Sequence, residues 1–512
     1  MLMISYYLLF LMISFCCLML MNGKLSIFTM SITWLNTNLS MEYFPDLMKY
    51  FSMAVILLSF FIIYFSFYYM NTDMPMQRFL FLMMSFITSM LIVNNSMSCW
   101  TMWLGWEGLG ITSYLLIMYY NNWKSSNSAM TTILINRLGD FCLLISLMSF
   151  VYTMLWMLDD SNLIVFLIMM VMFASIAKSA QLPFHSWLPI AMAAPTPVSS
   201  LVHSSTLVVA GSILCLKLGS YFFTYSMFWL SLTGYLTSLY ASIMAFFEVD
   251  IKKVLAYSTM SQIALVMFML SCNLKDLMLM HIVNHALIKA LLFMNFGIYI
   301  MNMFGNQDSR NFCMMNSMFW ITTSIIGCLI SMCGITFTSS YYSKEYSLLY
   351  SMKNENVFML INLMIFMSFA YSSRIIYLLI YTTKSFNPKY QVFYPSLLMN
   401  CVLFPMMLMN GWMFITNYAL PMNICWMSNK NYILLVPFII MIYFFMQSYM
   451  KNSNYDIVYQ LSNNMMILNK YFLGKMKSMS LSFNLNILTF MSFSSSLNIL
   501  WPLLLIILTM IA

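Results

Sequence analysis

The stretch AKSAQLPFHSWLPIAMAAPTPVSSLVHSSTLVVAG (177–211) sets Lys178 and four prolines, Pro183, Pro189, Pro195 and Pro197, inside an apolar run. Proline lacks a backbone donor and its ring collides with the preceding turn, so a helix must break or kink here. In hydrocarbon, carbonyls freed by such a break survive only where they line a cavity or are buried in protein. A lysine beside a broken helix is the arrangement that transporters place near the bilayer midplane. Desolvation makes a lysine able to take up and release a proton. His203 follows with Ser204, Ser205 and Thr206, hydroxyl groups able to hold water for a proton chain. A bland reading of Lys178 is snorkelling to the interface; against it, the lysine abuts the break and does not end a helix.

The surrounding composition defines the solvent. The 512 residues are 62% hydrophobic and 7% charged. A soluble domain carries roughly 25% charge, so lipid and the protein itself must solvate this chain. Apolar runs long enough to span a bilayer lie near 1–21, 52–69, 78–94, 98–119, 130–155, 162–182, 186–220, 224–247, 253–272, 279–303, 318–340, 357–381, 393–418, 431–449 and 496–512. The run at 186–220 is interrupted and counts as one or two, giving an all-α polytopic membrane protein of 15–16 transmembrane helices. No hydrophilic stretch is long enough for a soluble catalytic domain. The first basic residue is Lys24, so the start reads as neither a secretory signal nor a transit peptide, and the first helix is expected to remain an anchor. Sixty methionines suggest an organelle genome that reads an AT-rich isoleucine codon as methionine. Eleven cysteines, from Cys16 to Cys425, show no metal-finger spacing and read as small hydrophobes. The net charge of +8 fits loop lysines against anionic lipid, and nothing supports nucleic-acid binding.

Other ionisable residues lie within or at the edge of apolar runs, where a charge is costly unless it is paired, wet or functional. WLGWEGLGITSY (103–114) holds Glu107 among glycines that let neighbouring helices approach closely. Either a proton relay or a fixed packing ion pair would explain that carboxylate. NRLGD (136–140) puts Arg137 and Asp140 on one helix face as a local ion pair, for which a helix-start pair at the interface serves about as well as transport. HIVNHALIK (281–289) lines up His281, His285 and Lys289 at spacings of four on one stripe. With a lysine third and no nearby carboxylate this is a poor metal site and a better relay. GITFTSSYYSKE (334–345) interrupts an apolar helix with small and hydroxylated residues before Lys344 and Glu345. Two segments thus share one grammar, an acid or histidine helix followed by a lysine at a discontinuity, as in transporters built from paired repeats.

The strings GWEGLG (105–110), NRLGD, KSAQLPFHSWLP (178–189), PTPVSSLVH (195–203), DIKKVLAYSTMSQ (250–262), HIVNHALIKALLF (281–293) and YSKE (342–345) together resemble the antiporter-like membrane-arm subunits of mitochondrial NADH–ubiquinone oxidoreductase, respiratory complex I. These are similar in turn to bacterial multi-subunit sodium/proton antiporters. The resemblance implies two inverted antiporter-like repeats, at 78–220 and 221–381, after N-terminal helices at 1–77. Peripheral helices at 382–449, an interfacial lateral helix at 450–495 and a last transmembrane anchor at 496–512 would complete the chain. It implies proton translocation through Glu107 and Lys178 as a buried pair, His203 as a bridge, His281, His285 and Lys289 as a central axis, and Lys344 with Glu345 at the exit. No catalytic residue, metal or cofactor is implied in this chain, while FMN, iron–sulfur clusters and ubiquinone belong to partner subunits. Implied partners are a chain 4 neighbour, chains 2 and 6 through the lateral helix, accessory subunits and a phospholipid such as cardiolipin, in the mitochondrial inner membrane. Thr336 and Ser340 stand where the family has proline and glycine, which would soften the second break. A free-standing or multi-subunit cation/proton antiporter and a structural scaffold are the alternatives.

Overall fold

Leucine, isoleucine, phenylalanine and methionine runs with no charge to solvate fold as helices, because in a bilayer each backbone donor and acceptor must be satisfied within its own segment. In the computed structural model the described residues are 30–32, 37–39, 46–71, 76–96, 99–156, 161–218, 224–303, 305–309, 319–334, 338–351, 355–381, 399–408 and 410. They all fall in the first of two compact units, Met1–Ser448. The spans expected at 1–21, 431–449 and 496–512, most of 393–418, the lateral helix at 450–495 and Thr336 lie outside the described residues.

The helices are α1 (Asp46–Tyr69), α2 (Met76–Asn95), α3 (Cys99–Ile117), α4 (Trp123–Trp156), α5 (Ser161–Lys178), α6 (Leu207–Leu218) and α7 (Thr224–Phe247). They continue with α8 (Ile251–Ser271), α9 (Lys275–Asn302), α10 (Phe319–Cys333), α11 (Ser339–Ser351) and α12 (Glu355–Tyr381), then a short apolar helix, Met399–Leu408. One departure from all-α is a small antiparallel pair, β1 (Met30–Ile32) with β2 (Thr37–Leu39). Among the described residues, eight helical stretches are long and apolar enough to cross a membrane. Phe81, Phe141, Phe228 and Met359 stand well exposed on helix flanks, a surface suited to lipid. Serines inside the helices return their hydroxyls to carbonyls three residues back, as Ser59 does to Ile56 (2.7 Å) and Ser66 to Ile63 (2.7 Å). That local bond removes the cost of a hydroxyl in an apolar setting.

Two helix breaks organise the interior. α5 ends at Lys178, so the lysine is the last residue of its helix and does not merely precede the break. Its side chain is nonetheless fully buried, which excludes snorkelling. The carbonyls left open at this helix end are taken up one by one. Ser179 N–H bonds Ser175 O (2.9 Å), Gln181 N–H bonds Ile176 O (3.0 Å) and the Trp187 indole donates to Ala177 O (2.9 Å). Ala180 turns the chain at a left-handed φ of 53°. The chain then runs through short turns at Trp187–Ile190 and Thr196–Val198 into a π-helical segment, Ser199–Thr206, that continues as α6. Close approach of α6 to the end of α5 requires Gly211, where a Cβ would stand 2.5 Å from Ser175 O.

At the second break α10 stops at Cys333, Gly334 adopts φ +83°, and α11 starts at Ser339. Of the two positions expected to soften this break, only Ser340 is among the described residues, and it helps to close the break. Ser340 donates to the Ser331 carbonyl, and Lys344 Nζ bonds Met332 O (2.6 Å) and Cys333 O (3.1 Å). Side chains of α11 therefore cap the carboxyl end of α10, where cations are favoured by the helix dipole. In the first break the lysine closes the helix before the gap; in the second it belongs to the helix after it. Sequence order is reversed between the two.

Candidate functional site

The first polar cluster joins α3, α4 and α5. Arg137 is paired with Glu107, and its guanidinium also lies 3.6 Å from Asp140 Oδ2. Lys178 Nζ lies 3.7 Å from Asp140 Oδ1 and donates to the Trp106 carbonyl (3.1 Å). The Trp106 indole N–H donates to Asp140 Oδ1 (2.7 Å), and its ring lies 4.8 Å from Lys178 Nζ. Among the described residues Asp140 is the carboxylate in ion-pair contact with the lysine, and Glu107, held by Arg137, acts on the lysine electrostatically from further away. The reason lies in helix geometry. Arg137 and Asp140, three residues apart, share a face of α4, so Arg137 reaches toward α3 while Asp140 reaches toward the end of α5. Asp140 Oδ2 is buried without a hydrogen-bond partner.

His203 sits in the π-helical segment, fully buried, its ring 6.2 Å from that of Trp187. Both of its ring nitrogens lack a hydrogen-bond partner. A π-turn shifts the helical register and is frequent at functional sites; here Thr206 Oγ1 bonds the carbonyl five residues back, at Leu201 (2.7 Å).

The second cluster is centred on α9, which is buried almost along its whole length. His281 contacts Ser343 Oγ on α11 through Nδ1 (2.8 Å) and Gln262 Oε1 on α8 through Nε2 (3.2 Å). Gln262 Nε2 in turn donates to the Tyr371 hydroxyl (2.9 Å). Lys289 donates to Ser258 Oγ on α8, and Asn284 Nδ2 to the Ser339 carbonyl at the start of α11 (2.9 Å). His285, between them on the stripe, has both ring nitrogens buried without a partner. Lys344 also contacts Ser368 Oγ on α12 (3.2 Å) and is close enough to act electrostatically on His281 and Lys289. Glu345 does not pair with Lys344. Adjacent helix residues point about 100° apart, and Glu345, half-buried, turns to Tyr341.

Residues that spacing did not single out complete both clusters: Trp106, Gln262, Ser258, Ser343, Ser368, Tyr371 and Lys252. Lys252, 6% exposed, reaches the Ala194 carbonyl in the broken segment (3.4 Å). The signal for Lys252 was present in DIKKVLAYSTMSQ, where two consecutive lysines open a helix but only one can face solvent. Chemically, the buried set consists of ammonium, imidazole, carboxylate and hydroxyl groups, each able to take a proton on one side and give one on another.

Residues 96–370 match the family described as NADH:quinone oxidoreductase/Mrp antiporter, TM. The NADH-ubiquinone oxidoreductase chain 5 of Artemia franciscana is 45% identical over 285 residues, covering 55% of this chain and 52% of that protein. That of Anopheles arabiensis is 38% identical over 360 residues, covering 64% of this chain and 92% of that protein. The match thus spans about half of the Artemia protein and 65% of the one from Ascaris suum. Among solved structures, the Mrp complex from Dietzia sp. DQ12-45-1b superposes with TM-score 0.75 at 20% identity, covering 95% of this chain and 56% of that one. An archaeal membrane-bound sulfane sulfur reductase gives 0.69 at 17%, covering 81% and 89%. At such identities the two structures speak for the fold alone.

Proposed function

The chain belongs to the NADH:quinone oxidoreductase/Mrp antiporter transmembrane family, and from that premise we propose that it is a proton-translocating membrane-arm subunit of respiratory complex I. The relatives carrying the chain 5 name support that assignment over a free-standing cation/proton antiporter. Redox chemistry on FMN, iron–sulfur clusters and ubiquinone takes place in partner subunits. Those partners are the chain 4 neighbour, chains 2 and 6, and accessory subunits, in the mitochondrial inner membrane with phospholipid such as cardiolipin. In this chain Glu107, Lys178, His203, His281, His285, Lys289, Lys344 and Glu345 carry the proton, with Arg137 and Asp140 setting the charge at its first station.

The observation that carries the reading is the pair of buried histidines, His203 and His285, whose four ring nitrogens have no hydrogen-bond partner among the described residues. An apolar interior would not keep such groups dry, since each unsatisfied polar atom costs about 1–3 kcal/mol. Water bound there links Lys178 to the α9 stripe. Lys178 holds its proton against Asp140; when the charges around Arg137 and Glu107 rearrange, the ammonium gives the proton to that water line. His203 and the α9 stripe each accept one proton and pass one on, and Lys344 takes up the arriving proton after releasing its own at the exit; Lys178, left neutral, is reset by a proton from the intake side, so each cycle moves one proton and restores every group.

The test is the number of protons translocated per electron in the assembled complex carrying Lys178→Ala. The expected outcome is a lower ratio with intact NADH oxidation. An unchanged ratio in a fully assembled complex would leave the buried charges as scaffold only.

A further inference from the structure

A third polar line, separate from both clusters, runs down α7. Thr237, Tyr240, Met244 and Glu248 are spaced three to four apart, so they fall on one face as the helix meets its end. Thr237 Oγ1 bonds Gln181 Oε1, and Gln181 lies three residues past Lys178, inside the first break. One turn along, the His185 ring sits edge-on to Tyr240, centroids 4.7 Å apart, and an imidazole nitrogen bonds the Pro183 carbonyl. The Tyr240 ring packs edge-on to that of Tyr257 on α8, which is 4% exposed, with centroids 6.5 Å apart. Glu248 closes the line in the turn between the spans Met227–Phe247 and Ile251–Ser271. From Thr237 to Glu248 is about 16 Å along a helix, half the thickness of a bilayer core.

The turn is built to hold a carboxyl rather than to shed it. Ile251 N–H bonds Gln307 O (3.0 Å) and Ser309 N–H bonds Val249 O (2.9 Å), which ties the turn to the segment after α9. Lys253 Nζ is bound to Asp250 at 2.7 Å, and Arg374 on α12 donates to the Ala245 carbonyl (3.1 Å) at the end of α7. Among the described residues the charges acting on Glu248 have partners of their own: Asp250 and Lys253 hold each other and Arg374 caps α7, while Asp308 bridges the Asp250 backbone from the segment after α9. Burial lifts the Glu248 carboxyl above the usual carboxylate range, with Lys253 working against that and Asp250 adding to it. The Glu248 charge is also felt at Tyr240 and Tyr257. A half-buried carboxyl at the membrane edge, beside two neighbouring tyrosines and an imidazole leading inward, is a proton-collecting arrangement.

We propose that Glu248 is a proton intake for the first half of the molecule, delivering through Tyr257, Tyr240 and His185 to Lys178. The proposal rests on the translocation reading above. Glu248 takes a proton from the aqueous side. Each tyrosine accepts it on one side of its hydroxyl and gives up its own proton on the other. His185 passes it, over water in the break at Gln181, to a neutral Lys178 amine. One proton enters and one arrives; no relay group is left changed.

The experiment measures proton translocation and NADH oxidation against pH in membrane vesicles holding the complete complex, with Glu248→Gln, Tyr257→Phe and Lys178→Ala. Without Glu248, proton supply should fail first where protons are scarce. The expected result is that Glu248→Gln and Tyr257→Phe lose about tenfold in translocation rate at about pH 8, little at about pH 6, and regain the alkaline limb in Glu248→Asp. Should Glu248→Gln fail to assemble, Tyr257→Phe carries the test, since it removes one hydroxyl and keeps the ring. Unchanged pH profiles in both, with translocation reduced by Lys178→Ala, would overturn this intake and leave the translocation reading standing. Unchanged translocation in all three would overturn both.

Discussion

Replacing Asp140 by asparagine removes one charge and almost nothing else. The side chain keeps its volume, and the oxygen that accepts the Trp106 indole (2.7 Å) remains. What disappears is the carboxylate 3.7 Å from a lysine with no exposure. At that separation, with an effective dielectric of about 20, the lost attraction is about 4 kcal/mol. Breaking buried pairs by removing one partner costs about 3–5 kcal/mol in general, so the two routes agree. The Lys178 ammonium would lose its nearest negative partner. Glu107→Gln should do less to Lys178, because Glu107 is bound to Arg137 and reaches the lysine only at longer range. The assay is protons per electron in assembled complex: Asp140→Asn is expected to lower the ratio as far as Lys178→Ala does, Glu107→Gln less far. Equal losses, or a larger loss in Glu107→Gln, would refute Asp140 as the partner of Lys178 and restore the direct Glu107–Lys178 pair.

Two glycines separate packing from transport. A Cβ on Gly110 would stand 3.5 Å from Lys178 Nζ and 3.8 Å from Asp140 Oδ2, both ordinary contacts; Gly110→Ala should therefore assemble normally, yet crowd the Lys178–Asp140 pair and slow translocation, read in the same vesicle assay. Gly211→Ala instead drives a methyl to 2.5 Å from Ser175 O and 3.0 Å from Ser179 N, both backbone atoms. Its expected cost is about 1–3 kcal/mol, seen as a lower melting temperature of the purified complex, with normal thermal stability the contrary result.

Local rules written in the sequence carried much of the architecture. Prolines at 183, 189, 195 and 197 announced the first break, and spacings of four put His281, His285 and Lys289 on one buried stripe. Partner choice across helices was less legible. Arg137 and Asp140 looked self-contained at i and i+3, and only the packing of α3 and α5 against α4 shows that Arg137 serves α3 while Asp140 bridges α3 and α5. Lys344 and Glu345 invited pairing by adjacency, which helix geometry forbids. The second break looked weak without proline and glycine at 336 and 340, because its closure depends on Lys344 and Ser340 reaching back to carbonyls of another helix. The π-helical segment around His203 left no signal that spacing could detect, since SSLVHSST suits an ordinary helix as well.

Proton passage between the buried histidines and lysines requires water. A structure of the assembled complex in which ordered waters are visible should show at least one bound to His203 and one to His285, continuing toward Lys178 and Lys344. Dry apolar contact around both imidazoles, with the lysines separated by closed side-chain packing, would contradict it.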